Sequence, residues 1–338
     1  MHILFSGYHN PYFMTITEYM EDAIRALGHD LTVFDDRQHI VPGRIRQSIH
    51  WLQQYDLRHI NKKLVSLALK SKPDIAVVTG GHRITRQSVQ ALKKNRTCPV
   101  LWTIDAPSNF EPIIDVAPVY DHVFCQGSEA VELLNCAGIE GAQWLPVGCD
   151  PNIHKPIELS PEEKRYYGSD VVFVGSYYQN RAEVFESLVD FDLAIWGPGW
   201  ERLEKKSKLK RCIRTAHTTP SEWAKIYSAS KIVLAPHYQD PTNTFPMYQA
   251  SPRVFEALAC RAFVMSDNQR DVFSLFKDGE HLVRFNDAHD LVEKITWYLG
   301  HLSERQRIAA QGYDEVTQKH TYVRRIEKLI ESVNHRNA

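Results

Sequence analysis

The sequence predicts an α/β protein of two parallel-sheet domains, and three observations predict it. Short apolar runs ending in Gly, Ser or Asp alternate with longer segments of helical period. Unbroken apolar strands of this kind belong to parallel sheets covered by helices on both faces. The pattern stops at a polar, proline-rich stretch, "LPVGCDPNIHKPIELSPEEK" (145–164), and then restarts. With 338 residues the chain is also long for a single core.

Taken in order, "HILFSG" (2–7) reads as a first strand, followed by a helix through "TEYMEDAIRALGHD" that Gly28 terminates. "LTVFDD" (31–36) is the second strand, residues 51–71 have helical period, and "KPDIAVVTGG" (72–81) is a buried strand. "PVLWTIDAP" (99–107) and "HVFCQG" (122–127) are two more, the latter leading into the helix "SEAVELLNCAG". After the proline-rich stretch come strand "DVVFVGS" (170–176), helix "RAEVFESLV" and strand "LAIWG" (193–197). Thr219, Pro220 and Glu222 form a capping box for the helix in "TPSEWAKIYSAS", before strand "KIVLAPH" (231–237). Another helix starts at Ser251, "AFVMSD" (262–267) is a strand, and the tail from about 288 onward is helical. Two Rossmann-like halves result, 1–150 and 169–315, with 151–168 as linker and 316–338 as a C-terminal helix packing back on the first half.

Composition narrows the function. Hydrophobic content of 43% with 24% charge is that of a soluble globular protein. A net charge of −1 gives no overall pull toward nucleic acid or anionic membrane, and no nucleic-acid partner is expected. The six cysteines are scattered without a C-x-x-C pair, as buried thiols of a reduced, cytoplasmic protein would be. Sixteen histidines fall into no metal-binding spacing. No apolar run approaches the ~18–20 residues that span a bilayer.

Ligands of parallel sheets sit at the carboxyl ends of strands, which selects Gly7–Asn10, Gly80–Arg83 and 105–108. Within these, Asp105, His9 and His82 are the candidates for taking a hydroxyl proton, since a neutral imidazole does so near neutral pH. A helix cap or an ordinary polar residue is the bland alternative for each. In "SPRVFEALACRAFVMSD" (251–267), Ser251 suits an N-cap and Pro252 the first helical position. The helix then aims free N–H groups and its positive dipole end at whatever lies in front, with Arg253 and Glu256 sharing one face. That combination is an anion site with a carboxylate beside it.

The motifs "FVGSYYQNR" (173–181), "IWGPGW" (195–200), "YSASKIVLAPH" (227–237), "SPRVFEALACRAFVMSD", "LFKDGEHLVRFND" (275–287) and "HTYVRRIEKL" (320–329) occur in one order over ~150 residues. In that order and spacing the second half resembles GT-B glycosyltransferases of the family-4, or group 1, type, and most closely their CgeB-like spore-maturation branch. The resemblance implies a GT-B fold, two Rossmann-like domains facing each other across a cleft, and a nucleoside-diphosphate sugar (UDP-, GDP- or dTDP-linked) as donor. It places Glu256 on the ribose hydroxyls and Arg181 and Arg253 on the diphosphate, with Gly175 and Ser176 letting the backbone approach. Trp196, Gly197, Trp200 and His217 fall where the base stacks or bonds.

This sequence departs from the family pattern twice. Tyr248 stands eight positions before Glu256, where retaining members carry another Glu, and Arg261 replaces a usual Gly. Asn243, Tyr248 and Gln249 of "DPTNTFPMYQASP" are candidates for the missing sugar contacts. The resemblance implies transfer without a metal or other cofactor, retention at the anomeric carbon, and closure about 146–156 to exclude water. The acceptor (glycan, protein or small molecule) and the oligomeric state stay open, as does the role of the basic stretches 37–59 and 204–214. An epimerase-like enzyme on UDP-sugars and a non-catalytic binding protein are the competing readings. A nicotinamide dehydrogenase lacks its G-x-G-x-x-G after either opening strand.

Overall fold

The computed structural model describes residues 1–41, 43–105 and 110–337, those at 44, 46, 47 and 335–337 by backbone alone. The chain forms two compact units, Met1–Pro146 with Val323–Ala338, and Val147–Tyr322.

The first unit runs β1 (His2–Gly7), α1 (Ile16–Ala26), β2 (Asp30–Asp35), α2 (Gly43–Ser48), α3 (His50–Ser71) and β3 (Ile75–Thr79). It continues with α4 (Arg86–Lys94), β4 (Cys98–Thr103), α5 (Glu111–Val116), β5 (His122–Cys125), α6 (Ser128–Cys136) and β6 (Gln143–Trp144). All pairings are parallel in the order β2-β1-β3-β4-β5-β6. β3, β4 and β5 are apolar on successive residues because helices cover both sheet faces. Leu4, Val78, Leu101 and Ile113 belong to one core cluster. Trp102 is buried too, and its indole N–H reaches the Leu145 carbonyl at 2.9 Å. α1 starts where it does because Thr15 and Glu18 close a reciprocal capping box.

The second unit runs α7 (Pro161–Tyr167), β7 (Val171–Val174), α8 (Gln179–Glu186), β8 (Leu193–Trp196), α9 (Pro220–Ala229) and β9 (Ile232–Ala235). Then follow α10 (Pro252–Ala259), β10 (Val264–Asp267), α11 (Arg270–Leu275), β11 (Val283–Phe285), α12 (Ala288–Gly300) and α13 (Leu302–Lys319). Its parallel sheet has the order β11-β10-β9-β7-β8. The last helix, α14 (Tyr322–Asn337), returns the chain to the first unit, where Arg325 donates to the Pro146 carbonyl at 2.8 Å.

Residues 151–168, expected to form a linker, instead belong to the second unit and contain α7. The reason is local: Ser160 and Glu163 form a capping box around Pro161, and Lys225 of α9 holds Glu163 at 2.8 Å. Helices α4, α5 and α11 and the two short strands β6 and β11 had no expectation from sequence. Cys136 is exposed rather than buried.

The two sheets share one topology. In each, the chain leaves the first strand to one side and returns with the third strand on the other, between β1 and β3 and between β7 and β9. Ligands of open α/β sheets bind in the crevice outside the carboxyl ends at such a switch point. The loops after β7 and β9 therefore locate the second unit's site.

Candidate functional site

β7 ends at Val174 and hands over to Gly175–Tyr178 before α8. Backbones crowd here: a Cβ on Gly197 (φ 124°) would lie 2.5 Å from the Gly175 carbonyl oxygen. Glycine is required at 197 by both space and conformation. A Cβ on Gly175 would overlap the Arg253 guanidinium. The Trp200 indole N–H donates to the Gly175 carbonyl at 3.0 Å and fixes the turn.

A buried arginine, Arg181, and a half-buried one, Arg253, meet at this turn. Arg181, from the first turn of α8, donates through Nε to the Pro236 carbonyl at 3.2 Å and through Nη1 to that of Ser176 at 2.9 Å. Arg253, from the first turn of α10, donates through Nε to the Val174 carbonyl and through Nη1 to that of Pro236 at 3.4 Å. Both guanidinium carbons lie over the Phe173 ring, at 5.2 and 4.5 Å. Among the described residues neither has a carboxylate within ion-pair distance. Burial, with Arg253 next in effect, lowers the pKa of Arg181 to about 9, and burial lowers that of Arg253. Positive charge is thus gathered here without a contact ion pair, Asp267 and Glu256 acting on it only at longer range.

The start of α10 is held from behind. His237, two residues past β9, is clamped by Asp267 at the end of β10. The imidazole Nδ1 lies 2.6 Å from Asp267 Oδ1, and the His237 backbone N–H donates to Oδ2 at 3.1 Å. The other ring nitrogen, Nε2, accepts the backbone N–H of Ser251 at 2.9 Å, which fixes Nδ1 as the protonated nitrogen. Burial pushes the Asp267 pKa up, but the His237 ring and backbone outweigh it and the net shift is down. Ser251 Oγ is buried and, among the described residues, bonds to nothing, although Ser251 occupies the N-cap.

Glu256, one turn further along α10, is 8% exposed. The His154 ring nitrogen Nε2 stands 3.9 Å from its Oε1, beyond hydrogen-bond reach. Burial drives Glu256 up to about 7 against the pull of Arg253, and burial drives His154 down to about 4. The region therefore presents two cations, an unused hydroxyl, a helix N-terminus and a carboxylate poised near neutrality.

Residues 180–331 match the family model described as glycosyl transferase-like. Spore protein CgeB of Bacillus subtilis (strain 168) is 22% identical over 262 residues, covering 74% of this chain and 80% of CgeB. Over 99% of the chain the fold superposes on all of Anabaena Alr3699/HepE, solved with UDP and glucose, with TM-score 0.68 at 14% identity. Sucrose-phosphate synthase of Thermosynechococcus elongatus gives TM-score 0.68 at 13% identity, over 99% of both chains. The chain is a glycosyltransferase of the GT-B fold, related to CgeB.

In this GT-B glycosyltransferase, Gly175, Ser176, Arg181, Gly197, Ser251, Arg253 and Glu256 all come from the loops and helix starts after β7, β8 and β9. Trp196 departs from expectation. As the last residue of a strand buried on both faces it is 1% exposed, with the Tyr166 and Tyr167 rings 5.8 and 6.0 Å away, so it has no open face for a base. Trp200 is likewise interior, packed on Phe185. His217 is exposed, just past Thr215, whose carbonyl accepts the Gly197 N–H at 2.8 Å. Tyr248 is half-buried under Arg270, Gln249 is half-buried, and Asn243 is exposed at φ 50° in a loop gathered around the Asp240 carboxylate.

The first unit brings two expected residues together: His82 Nδ1 lies 3.3 Å from Asp105 Oδ2. His9 pairs separately with Glu21 of α1 at 2.7 Å, and burial raises the Glu21 pKa. Residues 106–108 of the expected cleft lie outside the described residues. The His237–Asp267 clamp, Glu21 and His154 were missed. Strand-end position could have flagged His237 and Asp267, but nothing in the sequence pairs residues thirty apart.

Proposed function

We propose that the second unit holds a nucleoside-diphosphate sugar and that the enzyme transfers its sugar to an acceptor hydroxyl. One observation carries this: Glu256 is a nearly buried carboxylate with no hydrogen-bond donor in reach among the described residues, on the same helix start as Arg253, which makes no ion pair with a carboxylate among them. A nearly buried carboxylate that accepts no hydrogen bond and two guanidinium groups without a contact ion pair fit a ligand that carries both complements. A ribosyl diphosphate is such a ligand. Its hydroxyls donate to Glu256, and its phosphate oxygens accept from Arg181, Arg253 and Ser251 Oγ, with the positive end of the α10 dipole behind them.

As the glycosidic bond breaks, the leaving diphosphate gains negative charge, and fixed cations stabilise that state more than the bound donor. Because the two arginines and the helix dipole supply the positive charge, transfer proceeds without a divalent metal. Kinship supports retention at the anomeric carbon. In the first unit the His82–Asp105 pair orients and deprotonates the acceptor hydroxyl, with His9 beside Glu21 as the second choice. The acceptor is a glycan, a protein or a small molecule bearing that hydroxyl. HepE was solved with UDP and glucose, which makes UDP-glucose the first donor to try.

The test is a thermal-shift series over nucleoside diphosphates and their sugars, followed by assay of nucleotide release. Selective stabilisation by one donor, lost in Glu256→Gln and Arg253→Met, supports the reading. A flat response to every nucleoside diphosphate overturns it. Donor isomerisation without nucleotide release would instead favour an epimerase.

A further inference from the structure

α3 carries an outer face unlike that of a solvent-facing helix. Trp51, Tyr55, Arg58 and Lys62 recur at four- and three-residue spacing, and Leu69 continues the same stripe. Trp51 is 68% exposed, Tyr55 55% and Leu69 51%, while Arg58 and Lys62 stand exposed between them. Ile40, Ile45 and Ile49, in the segment that leads into α3, are exposed as well. The opposite face, with Ile60, Leu64 and Ala68, is buried in the core. An exposed apolar cluster of this size marks a contact surface.

Charge identifies the partner. Residues 37–63 contain Arg37, Arg44, Arg46, Arg58, Lys62 and Lys63 but a single acid, Asp56. Asp56 is turned inward, 1% exposed, where it binds the His39 ring at 2.7 Å and the Ile40 N–H at 2.9 Å. The acid thus fixes the loop from inside, and Arg58, Lys62 and Lys63 are left exposed on α3, in a chain whose net charge is −1. Arg58, Lys62 and Lys63 have no ion-pair partner among the described residues.

We propose that this face docks on an anionic lipid bilayer, with Trp51, Tyr55 and the isoleucines in the interfacial region and the basic residues on the headgroups. Aromatic and aliphatic side chains interleaved with lysine and arginine are what an interfacial helix needs. A nucleic acid in water offers nothing to three exposed isoleucines. A second copy of the chain, meeting this face symmetrically, would set Arg58 and Lys62 against like charges. The inference does not rest on the donor reading, and the two are measured separately.

The full-length chain is sedimented with vesicles of phosphatidylcholine containing about a third phosphatidylglycerol, and with pure phosphatidylcholine vesicles. Binding only to the anionic vesicles, reversed by high salt, is the expected result. Each cation near such a surface contributes about fivefold, so Arg58→Gln with Lys62→Gln weakens binding about thirtyfold. Trp51→Glu abolishes it. Both variants keep the wild-type melting curve and nucleotide response, since exposed substitutions barely perturb folding. Wild-type chain that ignores anionic vesicles, or binds neutral ones equally, overturns the proposal. So does a wild-type dimer in sedimentation velocity that Trp51→Glu dissolves, which would assign the face to a second copy. Oligonucleotide binding that needs Arg58 and Lys62 but not Trp51 would assign it to a polyanion instead.

Discussion

Glu256 makes donor binding and fold stability respond to pH in opposite senses. Its pKa is raised from the ordinary 4.5 to about 7, chiefly by burial. Only the ionised carboxylate accepts from two ribose hydroxyls at once. A group titrating near neutrality is about one-tenth ionised at pH 6 and about nine-tenths at pH 8, so donor affinity rises about tenfold across that range. Stability moves the other way. Between the ordinary and the raised value the folded chain binds more protons than the unfolded one, so stability falls as pH climbs through that window. A shift of this size corresponds to a loss of about 3 kcal/mol once Glu256 is fully ionised. Glu256→Gln removes the buried charge and should therefore melt higher than wild type at pH 8, by several degrees at about 2–4 °C per kcal/mol, and equally at pH 4.5. The same variant loses donor affinity and its pH dependence. Calorimetry with UDP-glucose is the assay, because its diphosphate, esterified at both ends, keeps constant charge over this range. A wild-type affinity that does not change with pH, or a Glu256→Gln chain that melts below wild type at pH 8, refutes the reasoning.

Four further outcomes follow from the geometry. Arg181→Met and Arg253→Met each weaken donor binding tenfold or more by titration calorimetry, because each removes about 1.5–3 kcal/mol of charge-assisted hydrogen bonding. His237→Ala strips Asp267 of the ring N–H and strands the Ser251 N–H, costing about 3 kcal/mol in a denaturant melt. His237→Asn, which keeps a donor for Asp267, recovers part of it. Gly197→Ala forces a Cβ to within 2.5 Å of the Gly175 carbonyl, and the chain melts well below wild type if it folds at all. Asp105→Asn lowers the turnover of sugar transfer while leaving donor affinity intact, in steady-state kinetics beside calorimetry; equal loss in both would remove Asp105 from the acceptor chemistry.

How much of this was legible in the sequence depended on range. β3, β7 and β9 are short unbroken apolar runs because both sheet faces are covered, and that pattern is local. Ser251 and Pro252 fixed the start of α10 for the same reason, and with it the places of Arg253 and Glu256. β11, three residues long, offers no period to detect. α7 hides behind its prolines: Pro161 reads as linker composition but stands at the first helical position after a serine cap. Trp196 was misplaced since an apolar run buried on both faces does not tell which end residues remain accessible. The His237–Asp267 clamp was invisible because only the parallel pairing of β9 with β10 sets the two strand ends side by side.

That clamp explains how the site can hold unbalanced charge without collapsing around it. The simplest way to stabilise two clustered arginines is a carboxylate on each, but on the proposed reading a carboxylate would fill the place of a phosphate. Here the guanidinium groups are held by main-chain carbonyls of Val174, Ser176 and Pro236, which orient them without neutralising them. Asp267, the acid beside the loop, is already engaged by His237, and His237 in turn spends its second nitrogen on the Ser251 N–H rather than on an arginine. The Asp267 carboxylate is thereby engaged at the back of α10, and neither guanidinium makes a contact ion pair with a carboxylate among the described residues. If the proposed donor site is right, selectivity for a ribosyl diphosphate is built from contacts the fold leaves to the ligand, since an anion with hydroxyl donors supplies what the guanidinium groups and Glu256 lack in the empty protein.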